Sequence, residues 1–296
     1  IYTLSLHDAL PIYELRSSSA MVKKHVRQSV GIHVILIVFS IVMLVPFLWM
    51  ILTSFKTVSE STSVDPFVIF PTVWRLDAFK AVIENMNFLL LYKNTILLIF
   101  WRVAAAVATA TMAGYAFGRL RFRGRDFAFS LVLLQMMVPS QIFVIPQYIM
   151  ISKLNALNSM FGLVFPGLVT AFGTFLLRQA FMGLPRDLEE AAKLDGCNIG
   201  QTFLYIMLPL VRSNMVALGI FTSVFAYKDL LWPMIAAPRN ASTTLAAALA
   251  KMQGQYGANF PQLMAASLLA CLPMIVLYLL FQKQFIEGIA TTGGKL

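Results

Sequence analysis

The sequence predicts an all-α membrane protein with six transmembrane helices and both termini in the cytoplasm. Three observations carry that expectation. Of the 296 residues, 59% are hydrophobic and only 12% are charged, against roughly 45–50% and about 25% in soluble domains. A mean hydropathy of +0.77 agrees, and so apolar a chain needs lipid as its solvent. Six apolar segments stand out, at approximately 30–52, 92–116, 127–150, 160–182, 211–236 and 263–283. Each has about 20 residues or more, enough to cross a hydrocarbon core of about 30 Å at about 1.5 Å per residue. Finally, basic residues gather in alternate loops, as the positive-inside rule requires of cytoplasmic ones.

The elements follow in order. Ile1–Ala20 lacks the charged, apolar and small-residue regions of a signal peptide, and IYTLSLHDALPI resembles translated sequencing-adapter sequence. Residues 1–20 are read as a non-native or disordered extension, with the native chain expected to begin at Met21 and residues 21–296 forming one transmembrane domain. Lys23, Lys24 and Arg27 precede a first helix at about 30–52. Segment 53–91 is nearly charge-balanced, and its Pro66, Pro71, Trp74 and Phe79 point to a short folded cap outside the membrane. The core helices span about 92–283. The loop after the second carries Arg119, Arg121, Arg123 and Arg125 against Asp126, and the loop after the fourth carries Arg186, Lys193 and Arg212. Loop 151–159 has Lys153 alone, and 237–262 has Arg239 and Lys251. Six spans then return the C-terminus, with Lys283 and Lys295, to the side of the N-terminus. Pro46, Pro139, Pro166, Gly167 and Pro273 mark points where spans can kink.

Several function classes are excluded at this stage. The net charge of +10 lies in short segments between apolar runs, with no basic stripe for nucleic acid. Cys197 and Cys271 belong to no metal or disulfide pattern. The histidines are His7, His25 and His33, so nothing later supplies an imidazole. Gly288, Gly293, Gly294 and Lys295 miss the phosphate-binding spacing GxxxxGK[ST]. No paired acid, nucleophile or metal set is arranged for catalysis, so the chain is expected to be non-catalytic. A self-sufficient secondary transporter, often built from inverted repeats and more spans, is the competing transport reading.

The segment 185–212 is the most informative. Pro185 fits a helix start, with Asp187, Glu189 and Glu190 in the first turn, where the dipole favours acids. Leu188, Ala191, Ala192 and Leu194 give a partly apolar face, and Gly196 stands where such a helix stops. Phe203, Ile206 and Met207 restart an apolar face before Pro209. The expected shape is helix, glycine turn, helix, lying at the membrane surface. On physics alone, an interfacial amphipathic element without a partner is an equal reading.

Glu190-Ala191-Ala192, three residues, Gly196, nine residues, Ile206, one residue and Leu208-Pro209 resemble the EAA motif of binding-protein-dependent ABC importer permeases. Phe175–Gln179 resembles the family's FLLRQ segment, Val138–Gln141 through Ile145-Pro146 its VPSQ…IP stretch, Asp229–Pro233 its WNDFLWP segment, and Phe285–Thr291 its C-terminal tail. Together these are similar to the carbohydrate-uptake branch, on the side of the maltose-type G subunit. Tyr227-Lys228 replaces the family's Trp-Asn, and Ala78-Phe79 its outer-loop Asn-Tyr; the resemblance implies that both can affect solute selectivity, which leaves the solute open.

The resemblance implies the type I ABC importer permease fold in a bacterial inner membrane. It implies a second homologous permease subunit, two ATP-binding cassette subunits that hold ATP and Mg, and an extracytoplasmic solute-binding protein. It implies no cofactor on this chain. ATP-driven closure of the ATPases would move the helix of the coupling loop 185–212. Glu190 would pair with a basic ATPase residue, Ala191 and Ala192 would allow close approach, and Gly196 would make the turn. Asp195, Ile206, Leu208 and Pro209 complete the coupling set. Glu190 also compensates the helix N-terminus, worth about 0.3–1 kcal/mol. Sugar or oligosaccharide is the implied solute, with glycerol phosphate or polyamine as alternatives.

Charges inside spans are the second pointer, because a charge at mid-bilayer costs roughly 2.5–3.5 kcal/mol on insertion scales. Lys228 and Asp229 point about 100° apart on a helix, so they do not pair face to face. One of them is expected to face the solute path and the other a neighbouring helix; the alternative is snorkelling or a structural ion pair across the dimer. Arg102 is expected to snorkel from the outer part of its span. Tyr227, Gln135, Gln147 and Asn94 are candidates for sugar hydroxyls, although polar residues also hold helices together.

Overall fold

The computed structural model describes the backbone of residues 11–239, 241–256 and 259–293, and the side chains of 31–239, 241–253 and 259–284. Its described residues form helices and no strands. In chain order these are α1 (Pro11–Ser54), α2 (Val58–Thr62), α3 (Asp77–Asn85), α4 (Phe88–Arg119), α5 (Arg125–Met137), α6 (Val144–Lys153), α7 (Met160–Val164), α8 (Ala171–Met182), α9 (Asp187–Leu194), α10 (Ile199–Gln201), α11 (Leu208–Leu210), α12 (Arg212–Lys228), α13 (Leu231–Ala236), α14 (Leu245–Tyr256) and α15 (Phe260–Gly293). Helix α1 starts within the segment read as an extension; residues 1–10 lie outside the described residues.

Among the described residues, three helices are long and apolar enough to cross a membrane: Gly31–Ser54, Phe88–Arg119 and Phe260–Gln284. Three further crossings are available only as bent pairs. Arg125–Met137 and Ser140–Lys153 meet at 101°, Met160–Gly167 and Ala171–Met182 at 49°, and Ile199–Leu210 and Arg212–Lys228 at 73°. The third and fourth apolar segments are therefore broken where the hydropathy reads as continuous, and the third bend falls at Val211, where the fifth segment begins. Proline chemistry accounts for the first two breaks. Val138 is extended (φ −90°, ψ 127°) before Pro139, which has no N–H to continue the ladder. Pro166 lies in a 3₁₀ turn at Phe165–Gly167, after which Thr170 restarts the chain by capping Gly173 N–H. The expected fifth segment, 211–236, ends its helix at Lys228, and Asp229 is extended (φ −66°, ψ 114°) before α13.

Helix α4 is the axis of packing. At Gly114 an added Cβ would lie 2.7 Å from Leu177 Cβ and 2.8 Å from Arg178 N, so only glycine allows α4 and α8 this approach. Ala110, Tyr115, Leu177, Phe181, Met207, Val211 and Leu218 form one buried cluster at the α4 C-terminal end. At the opposite end Ala78 and Val82 of α3 pack with Met252, Ala265 and Ala266 of α14 and α15. Segment 53–91 folds against this end, with the Phe55 ring tilted against those of Trp74 and Phe79 at 5.1 and 5.3 Å between ring centroids. In it Glu60 closes a capping box with Thr57 at the start of α2. Between Ile32 and Leu48 of α1, in contrast, apolar side chains face outward.

Candidate functional site

The segment 185–212 builds a surface element from short-range rules. Helix α9 starts after Pro185, with Asp187, Glu189 and Glu190 in its first turn. It ends in a Schellman motif: Gly196 N–H donates to Lys193 O (3.1 Å) and Cys197 N–H to Ala192 O (2.9 Å). That geometry needs the positive φ of Gly196, which is +81°. Asn198 and Gln201 then form a capping box that starts α10. The chain continues through a π-helical stretch, Thr202–Met207, into α11, where Pro209 stands in the first turn.

The two halves of the element behave differently. The second is fastened to the bundle. Met207 is fully buried, Phe203 and Ile206 pack on the same cluster, and the Phe203 ring lies 5.0 Å from that of Tyr115 on α4. The first half is clamped on one side only. Successive residues turn by about 100°, so Glu189 and Glu190 face different ways. Glu189 Oε2 lies 3.3 Å from Arg119 Nε at the end of α4, whose side chain is 4% exposed. Arg119 Nη2 also donates to Pro185 O at 2.9 Å. Glu190, Ala191 and Asp195 face outward, while Ala192 is buried. Leu194 is 89% exposed, and Ile199 and Tyr205 extend the outward apolar surface. Leu208 is half-buried and Pro209 exposed. Glu189 and Arg119 were not singled out by sequence reasoning; a second acid beside Glu190 and an arginine ending a span were the available signals.

The in-span charges form a second constellation near the middle of α4. Contrary to the snorkelling expectation, Arg102 is buried. Its Nη1 donates to Asp229 Oδ2 at 2.7 Å, and its Nε and Nη2 donate to Leu163 O at 3.2 and 2.7 Å. The other Asp229 oxygen accepts from Trp232 N–H at 3.4 Å, and Trp232 Nε1–H donates to Gly162 O at 2.9 Å. Arginine, carboxylate and indole thus tie α4, the chain around α7 and the α12–α13 break together. Lys228 and Asp229 do not pair with each other. Lys228 is exposed, with Nζ 4.8 Å from the Phe225 ring centroid.

The remaining solute-path candidates are dispersed. Asn94 is buried, and its Nδ2 donates to Ala241 O and Thr243 O, both at 3.0 Å, so it acts as a clasp between α4 and a loop. The Tyr227 hydroxyl donates to Ala270 O on α15. Gln135 is exposed on α5 and Gln147 half-buried on α6. The side chains of the expected tail, Phe285–Thr291, lie outside the described residues. Among the described residues no cluster of three or more His, Cys, Asp or Glu side chains is placed to hold a metal.

A multi-pass bundle of apolar helices, with charges paired near the middle of α4 and a helix–turn–helix clamped to one end, defines a membrane permease component. The fold agrees. Over 89% of this chain and 98% of the other, it superposes with a TM-score of 0.73, at 22% sequence identity, on a chain of a bacterial ABC transporter involved in the import of the acidic polysaccharide alginate. The chain belongs to the binding-protein-dependent transport system inner membrane components, the family that matches residues 107–289. It is 31% identical over 252 residues to the arabinooligosaccharides transport system permease protein AraQ of Halalkalibacterium halodurans, covering 84% of this chain and 90% of that one. It is 33% identical over 208 residues to the sn-glycerol-3-phosphate transport system permease protein UgpE of Yersinia pestis, covering 70% and 74%.

Proposed function

We propose that this chain is one permease subunit of an ATP-driven, binding-protein-dependent importer of a sugar or oligosaccharide. It forms half of the translocation pore with a second homologous permease subunit. In this reading the chain has six spans, with both termini and the 185–212 loop in the cytoplasm. Two ATP-binding cassette subunits dock there and carry the ATP and Mg, while an extracytoplasmic binding protein delivers solute to the opposite end.

The observation that carries this reading is the one-sided clamping of α9. Glu189 and Arg119 hold the helix to α4, and the second half of the element is embedded in the α4–α8 core. Glu190, Ala191 and Leu194 remain outward. A surface helix anchored in this way transmits a push on its outer face to the packed bundle as a rigid displacement. Glu190, Ala191, Ala192, Asp195, Gly196, Ile206, Leu208 and Pro209 are the coupling set, with Ala192, Ile206 and Leu208 on the inner side. The sugar class is supported by the relative named for arabinooligosaccharides. A phosphorylated polyol is the second reading, favoured by the relative named for sn-glycerol 3-phosphate.

Reconstitution of the four-subunit complex with its binding protein tests the proposal. Glu190→Lys is expected to abolish ATP-driven uptake while membrane insertion persists. Uptake by proteoliposomes holding this chain alone and an ion gradient would overturn it.

A further inference from the structure

Among the described residues the charges near the middle of α4 do not balance. Asp229 meets Arg102 at 2.7 Å. Lys228, the next residue back, pairs with none of the described carboxylates. The site therefore carries one cation more than it has anions.

Its depth makes this costly. Arg102 lies 14 residues from the start of α4 and 17 from its end, about 21 Å and about 25 Å along the helix at about 1.5 Å per residue. The ion pair brings Asp229, and with it Lys228, to this middle level. Lys228 points away from the α4 contact. It shares an outward face with Phe225, three residues earlier, which is 57% exposed. An unpaired ammonium at mid-membrane depth is retained where it meets an anion or a water-filled path. An aromatic ring beside it offers an apolar face to the C–H surface of a sugar or polyol, while the ammonium takes an anionic oxygen in a charge-assisted hydrogen bond.

From this juxtaposition we infer that Lys228 and Phe225 form a solute-selecting contact, and that the transported solute is anionic, with a uronate carboxylate or a phosphate received by Lys228. The inference rests on the importer reading above and narrows its solute class. Asp229 is excluded from solute contact by its engagement with Arg102 and has a positioning role: it fixes the α12–α13 break that presents Lys228.

The test uses the complete transporter with its binding protein in proteoliposomes. The probes are trigalacturonate for the carboxylate, sn-glycerol 3-phosphate for the phosphate and the uncharged arabinotriose. ATP-dependent uptake of one anionic probe is expected, and which of the two is taken up identifies the source of the charge. Lys228→Met should lower that uptake by about tenfold or more, and Lys228→Arg should restore most of it. Uptake of arabinotriose alone, or anionic uptake indifferent to Lys228→Met, overturns the Lys228 assignment and leaves the importer reading standing. Loss of the second permease subunit from the purified Lys228→Met complex also overturns it, since the ammonium then has a protein partner. ATP-dependent uptake of none of the three overturns the anionic-solute inference and leaves the importer reading standing.

Discussion

Replacing Asp229 by Asn removes one charge from the ion pair near the middle of α4 and leaves an acceptor for Trp232 N–H. The side chains of Arg102 and Asp229 are 9% and 22% exposed, so little water is available to take over. Breaking a buried pair from one side costs about 3–5 kcal/mol, because the surviving charge is left uncompensated. Leu163 O still accepts from Arg102, which points to the lower half of that range. In a chain of this size about 3 kcal/mol corresponds to a fall in Tm of roughly 5–10 °C. The assay is thermal unfolding of the detergent-solubilised complex, followed by loss of monodispersity. The double variant Arg102→Met, Asp229→Leu removes both charges and should recover most of the loss, since apolar replacement of both partners is nearly neutral. A change below about 1 kcal/mol for Asp229→Asn, or additive losses in the double variant, would refute the reasoning that a buried, coupled pair holds the helix break.

Three further outcomes follow. Glu189→Gln weakens the contact with Arg119, whose side chain is almost wholly buried; trypsin cleavage at Lys193 should accelerate roughly tenfold as α9 opens locally. Gly114→Val forces a Cβ against Leu177 and the Arg178 backbone and should lower Tm by more than the same change at Gly31, which has open space around it. The carboxyl of Glu60 is held down at about 2 by the Thr57 backbone N–H and the Thr72 hydroxyl. A depressed carboxyl contributes stability above its unfolded value of 4.5 and loses it as pH falls towards about 2. The Tm difference between wild type and Glu60→Gln should be constant from pH 7 to about 5 and close below that.

The long spans were legible because hydropathy over about 20 residues is a sum, insensitive to local direction. The helix, turn and helix of 185–212 were legible because caps are short-range: Pro185, Gly196 and Asn198 act on neighbours a few residues away. The breaks were only marked. Pro139 signals that a ladder bond is missing, but whether the chain kinks slightly or turns by 101° depends on packing. The Arg102–Asp229 pair was hidden for a different reason. Its members are 127 residues apart, and nothing local to either specifies the register of α4 against α12. The choice between Glu189 and Glu190 was hidden in the same way: both acids suit a first turn, and only the approach of Arg119 decides which one faces inward.

The central claim is that the outward face of α9 meets the ATPase. Leu194 is the most exposed apolar residue on that helix and offers a direct probe. A single cysteine placed by Leu194→Cys, with Cys197 and Cys271 changed to Ser, is treated with a short thiol-to-amine crosslinker in the complete complex. A product joining this chain to the ATP-binding subunit is expected, with a yield that changes between nucleotide-free and ATP-bound complexes and no such product from Asn85→Cys at the opposite end. A crosslink that fails to form at Leu194, or that forms equally well from Asn85, would contradict the claim.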